Sequence, residues 1–104
     1  MHTTPSLPEE TITTWADHCR TLSNAKRLRI LLVLHSTPTP TPVTCLAKQA
    51  EMSVNHASRA LVYLAGKGVV EGKRWGKQML YSLKDTPVVD FLTYIKEAPP
   101  TDVE

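Results

Sequence analysis

No stretch of this 104-residue chain approaches the roughly 20 consecutive apolar residues that a membrane span requires, which argues against an integral membrane protein. The first ten residues hold neither a basic start nor an apolar run, so no secretory signal is expected and the cytoplasm is the expected location. Cysteine is scarce. Cys19 and Cys45 are too few for the disulfide framework of a small secreted domain, and in a reducing cytosol both default to free thiols. The sequence contains no glycine-rich phosphate loop, no HExxH, no GxSxG and no carboxylate pair placed as for a cleft, so it reads as a non-enzyme without a cofactor. No repeat of 20 to 50 residues is visible either.

What remains is an ordinary globular composition, 41% hydrophobic and 21% charged, in a length that suits one domain with one modest core. The net charge of +2 is bland, but its distribution is not. Residues 20 to 77 carry ten Lys and Arg against Glu51 and Glu71, a local charge of +8, whereas residues 1–19 and 78–104 carry −3 each. A basic centre between acidic ends is the footprint of one surface facing a polyanion.

Residues 1–8 read as a flexible arm, with Pro8 opening a helix from Glu9 to about Leu22 in which Ile12, Trp15, Ala16, Cys19 and Leu22 recur at helical spacing. Asn24 suits the N-cap of a second helix from Ala25 to about His35, apolar nearly all round and therefore central. The prolines of Ser36–Pro42 predict a stiff extended connector. Thr41 and Pro42 then read as cap and first residue of a short helix reaching about Ala50.

After a turn at Glu51 and Met52, Ser53 caps a helix from Val54 to about Lys67, with Ala57, Leu61 and Leu64 as its buried stripe. Rotation by about 100° per residue from that stripe puts Asn55, Arg59 and Val62 at the centre of the outward face, with His56, Ser58 and Tyr63 on its flanks. Val69–Lys73 and Gln78–Leu83 read as strands joined across Arg74–Lys77, and Pro87 opens a last helix bearing Val88, Phe91, Leu92 and Ile95. The fold class is mainly α with a small β-hairpin, a winged helix-turn-helix of order ααααββα over residues 9–98, followed by a flexible tail at 99–104.

The outward face of that fourth helix carries what a DNA major groove demands. Asn55 can present its amide to adenine, Arg59 can fork onto guanine, and His56, Ser58 and Tyr63 can take base edges or phosphates beside Val62. Lys73, Arg74 and Lys77 on the hairpin suit backbone phosphates or the minor groove. Trp75 at the loop tip either packs back on its own hairpin or contacts DNA or a partner.

The sequence LSNAKRLRILLVL from Leu22, and LAKQAEMSVNHASRALVYLAGKGVVEGKRWGKQMLYSL from Leu46 to Leu83, resemble the second helix and the helix-turn-helix with wing of the ArsR/SmtB group of bacterial and archaeal repressors. The similarity spans about residues 15 to 95 and departs at Glu51, where a glycine is common. The resemblance implies a homodimer built by the terminal helices, with Ile12, Trp15, Val88, Phe91, Leu92 and Ile95 at its interface, reading a near-palindromic double-stranded site. It also implies a transcriptional regulator that acts as a repressor. The group's thiolate metal positions fall here on Pro42 and Thr44, with Cys45 one place further on, and the last helix holds no histidine, so no metal site carries over.

Two other expectations stand beside DNA binding. One is a winged helix redirected to dock a protein, with Trp75 and Tyr63 as anchors. The other is a thiol-responsive sensor using Cys19 and Cys45, for which inert burial is the commoner outcome. His35 reads as a satisfied core or interface residue.

Overall fold

The computed structural model describes residues 7–98; the arm and tail expected at either end fall largely outside them. Five helices and three strands follow in the order α1 (Glu9–Leu22), α2 (Ala25–His35), β1 (Thr41–Pro42), α3 (Val43–Gln49), α4 (Val54–Gly66), β2 (Val70–Trp75), β3 (Gln78–Leu83) and α5 (Pro87–Glu97).

Local chemistry explains most of these boundaries. The Asn24 side-chain oxygen accepts from the amides of Lys26 at 3.0 Å and Arg27 at 3.1 Å, which closes the start of α2. Ser53 Oγ does the same for α4 by accepting from the His56 amide at 3.1 Å, and Thr86 caps α5 ahead of Pro87. Pro8 lies just before α1, in extended geometry at its N-cap position, rather than within the first turn.

The turn of the helix-turn-helix is closed by a double bond pattern at the end of α3. The Glu51 amide donates to the Lys48 carbonyl at 3.2 Å and the Met52 amide to the Ala47 carbonyl at 3.0 Å. That closure requires a left-handed residue, and Glu51 supplies it at φ +57°, at a cost of about 1 kcal/mol relative to glycine. The same closure ends α4, where Gly68 takes the position.

The structure corrects the proline-rich connector. Thr41 and Pro42 form an edge strand that pairs antiparallel with β3, Thr41 opposite Tyr81 and Pro42 opposite Leu80, so the sheet has three strands in the order β1-β3-β2. An edge position tolerates Pro42 because a strand bonded on one side can spare an amide. Thr41 is therefore no helix cap, its hydroxyl donates to the Thr39 carbonyl at 2.9 Å, and α3 begins only at Val43. The hairpin is also longer than expected. Ladder pairing continues to Trp75 opposite Gln78, which leaves only Gly76 and Lys77 in the turn and puts Arg74 and Trp75 on the strand.

The core sits where α2, α3 and α4 meet the sheet and α5: Ile30, Leu31, Leu46, Leu61, Leu64 and Leu92 are completely buried. Each such side chain contributes about 1.5–3 kcal/mol of transfer free energy. α1 stands apart. The one buried residue on it is Thr21, while its apolar stripe remains exposed or half-buried along the outside.

Candidate nucleic-acid interface

α4 is held to the body by Ala57, Ala60, Leu61 and Leu64, and this fixes which of its faces looks outward. Asn55, His56, Arg59 and Val62 are exposed there, with Ser58 and Tyr63 half-buried beside them. Asn55, Ser58, Arg59, Val62 and Tyr63 together line a shallow groove of about 600 Å³. His56 is steered by its own cap, since its Nδ1 lies 3.2 Å from Ser53 Oγ, leaving Nε2 turned away from the helix start.

The wing adds cations beyond that face. Lys73 pairs with Glu71 at 3.5 Å on an exposed strand, whereas Arg59, Arg74 and Lys77 have no ion-pair partner among the described residues. Cross-strand register places Trp75, Lys73 and Glu71 on the outer face with Gln78, Leu80 and Ser82, and Arg74 on the core-side face with Met79. Trp75 does not fold back: its side chain is 74% exposed, and with Pro40 and Leu80 it borders an open hollow of about 410 Å³. Gly72 is needed for a different reason. An added Cβ there would meet Tyr81 Cε1 at 2.8 Å, because the buried tyrosine ring lies across the glycine and ties the wing to the core.

Tyr63 is less free than its place on the helix flank implies. The Arg27 guanidinium lies 4.2 Å from the centre of its ring, and Lys67 Nζ lies 5.7 Å from it. Arg27 Nε also donates to the Thr21 carbonyl at 2.9 Å and Nη2 to the Arg20 carbonyl at 3.0 Å, closing the end of α1. Lys67 in turn donates to Asp17 Oδ1 at 3.1 Å, as does Arg20, and the Lys67 hydrogen bond leads in holding the Asp17 carboxyl below its ordinary value of 3.8. Arg27 and Lys67 were counted in the basic centre of the sequence, but nothing in the sequence linked them to Tyr63.

The set expected at a dimer interface divides. Ile12, Trp15 and Phe91 are exposed and Ile95 is half-buried, and Trp15, Leu22, Leu28, Phe91 and Ile95 line an apolar groove of about 360 Å³ between α1 and α5. Val88 and Leu92 are fully enclosed in the protomer's own core and are corrected to core residues. Tyr94, on the same helix and outside that expected set, is exposed as well. Cys19 and Cys45 are free thiols and exposed, against the expectation of burial. His35 is satisfied as expected, its Nε2 2.9 Å from Thr93 Oγ1 and its Nδ1 3.2 Å from Lys96 Nζ. Among the described residues no helix is long and apolar enough to cross a membrane.

A turn-linked helix pair with the second helix exposed, followed by a two-stranded wing, defines a winged helix-turn-helix domain. No protein-family model matches the chain. It is, however, 38% identical over 77 residues to the HTH-type transcriptional regulator NmtR of Mycobacterium tuberculosis, a match covering 74% of this chain and 62% of the relative. The chain thus spans somewhat less than two thirds of that relative's length. Among solved structures, NolR from Sinorhizobium fredii superimposes with a TM-score of 0.74 at 27% identity, covering 91% of this chain and 95% of that one. A homodimeric winged helix-turn-helix DNA-binding domain from Mycobacterium bovis, described as a possible ArsR-family transcriptional regulator, gives 0.72 at 24% identity, covering 92% and 87%, which bears on the fold alone. The chain has the winged helix-turn-helix fold and is similar to ArsR-like regulators.

Proposed function

We propose that this chain is a cytoplasmic transcriptional regulator that binds double-stranded DNA in a sequence-specific manner as a homodimer, with α4 in the major groove and the wing on the backbone or minor groove. The observation that carries the reading is the exposed face of α4. Asn55 and Arg59 stand one turn apart on a helix whose opposite side is fully buried, with Ser58 and Val62 between and beyond them. That arrangement supplies an amide and a guanidinium for base edges, and an apolar contact for a thymine methyl.

Arg74 and Lys77, free of ion pairs among the described residues, supply the sequence-independent attraction that positions a reader on phosphate. The exposed Ile12, Trp15 and Phe91 support pairing of two copies through α1 and α5, a contact that removes an apolar strip from water. A two-fold dimer places its reading helices about one helical turn apart, which predicts a near-palindromic target. Occupancy of such a site at a promoter excludes other proteins from it, so repression is the proposed outcome. Selection from a pool of random duplexes on the purified protein tests the reading. An inverted repeat with half-sites about 10 base pairs apart is expected, and recovery of no common sequence refutes it.

A further inference from the structure

The side chains joining α1 to α4 form a continuous chain of contacts whose two ends have different proposed tasks. At one end, α1 carries Ile12 and Trp15 on its exposed face. At the other, α4 carries Asn55 and Arg59. Between them, Asp17 on α1 accepts from Lys67 at the end of α4, Lys67 and Arg27 lie against the Tyr63 ring, and Arg27 grips the last carbonyls of α1. α1 has no fully buried apolar side chain, its stripe being exposed or half-buried, so these polar links carry weight in setting its angle to α4.

We infer that Asp17, Arg27, Tyr63 and Lys67 act as a clasp that sets the angle of the recognition helix relative to the dimer-forming helix. Asp17 and Lys67 are then positioning residues for DNA recognition that act through α4 rather than on the DNA. This rests on the proposed function, and it assigns the ring of Tyr63 to the protein rather than to a base. The Asp17–Lys67 pair is partly exposed, at 37% and 34% of the two side chains, so solvent screens it and its effect is modest per protomer. A two-fold dimer carries the clasp twice, and a reading head misplaced by about 1 Å loses much of its fit.

The test turns on the sign of an effect. Asp17→Asn removes a negative charge, so simple electrostatics makes it bind any duplex slightly more tightly. The clasp predicts the opposite for a duplex selected on the wild-type protein: affinity falls about 3- to 10-fold, while affinity for random duplex is unchanged or rises. In the double variant Asp17→Asn with Lys67→Gln, the loss of selected-duplex affinity is expected to be smaller than the sum of the two single losses, because each substitution removes the same link. Tyr63→Phe keeps the ring between its cations and is expected to bind as wild type does, whereas Tyr63→Ala weakens binding.

Equal or tighter binding of the selected duplex by Asp17→Asn overturns the clasp, as do losses that simply add in the double variant. Should Asp17→Asn lose its helical circular dichroism, the tyrosine pair decides, because equal losses in Tyr63→Phe and Tyr63→Ala assign the hydroxyl to the groove and refute the role of the ring. A wild-type protein that selects no duplex removes the proposed function and the clasp with it; a failure of the variants alone, with wild-type selection intact, removes only the clasp.

Discussion

Replacement of Gly72 by alanine sets two effects of comparable size against each other, and the structure decides between them. In the unfolded chain alanine has fewer conformations to lose than glycine, which by itself stabilises a protein by about 0.4–1 kcal/mol where the native backbone accepts it. Gly72 does not have the left-handed φ that would forbid alanine, so this gain is available in principle. Against it stands the space. The new Cβ would lie 2.8 Å from Tyr81 Cε1, 3.2 Å from Cδ1 and 3.3 Å from the Met79 sulfur. Tyr81 is only 9% exposed, so its ring cannot swing aside without leaving the core. Overpacking of this kind costs about 1–3 kcal/mol, which exceeds the entropic gain.

Gly72→Ala is therefore expected to lose about 1–2 kcal/mol in urea unfolding followed by circular dichroism, or about 5–10 °C in Tm, at a fixed protein concentration. The cost should shrink when the same substitution is made in a Tyr81→Leu background, because the ring it collides with has gone. A Gly72→Ala protein as stable as wild type, or more stable, would refute the packing argument that joins wing to core.

Two further outcomes follow from the same geometry. Glu51→Gly relieves the left-handed backbone in the turn between α3 and α4, and is expected to raise stability by about 0.5–1 kcal/mol in the same unfolding assay. Phe91→Glu places a charge on the exposed apolar groove while leaving the buried Leu92 beside it untouched, so it should shift the protein from dimer to monomer in sedimentation equilibrium without loss of helix content.

The helices were legible because their signals are local. Asn24, Ser53 and Pro87 announce helix starts within three residues of where the bonds form, and the rotation from Ala57, Leu61 and Leu64 correctly sorted the two faces of α4. β1 was hidden because its pairing partner lies about 40 residues away and nothing in a proline-rich segment alternates. The end of the wing was misplaced for a related reason: Arg74, Trp75 and Gly76 look like loop composition, yet ladder bonds to Gln78 and Met79 carry the strand through the first two.

On α5 the sequence showed that one side is apolar but could not divide it. Val88 and Leu92, four apart, face the protomer's core, while Phe91 is turned far enough around the helix to be exposed. Tyr63 shows the limit most clearly. Its position on the flank of α4 was read correctly, but the cation over its ring comes from α2, 36 positions earlier in the chain, and only the folded arrangement brings the two together.

The central claim is that the exposed face of α4 and the wing together grip a nucleic acid backbone and its bases. Affinity of the purified protein for a selected duplex, measured across a salt series, tests it most directly. With Lys73, Arg74 and Lys77 on phosphates in each protomer, a dimer displaces about six counterions and log affinity should fall against log salt with a slope near −5. The Arg59→Ala, Lys73→Ala, Arg74→Ala variant should bind far more weakly, with a slope near −2. A variant that binds as tightly as the parent with the same slope would contradict the account.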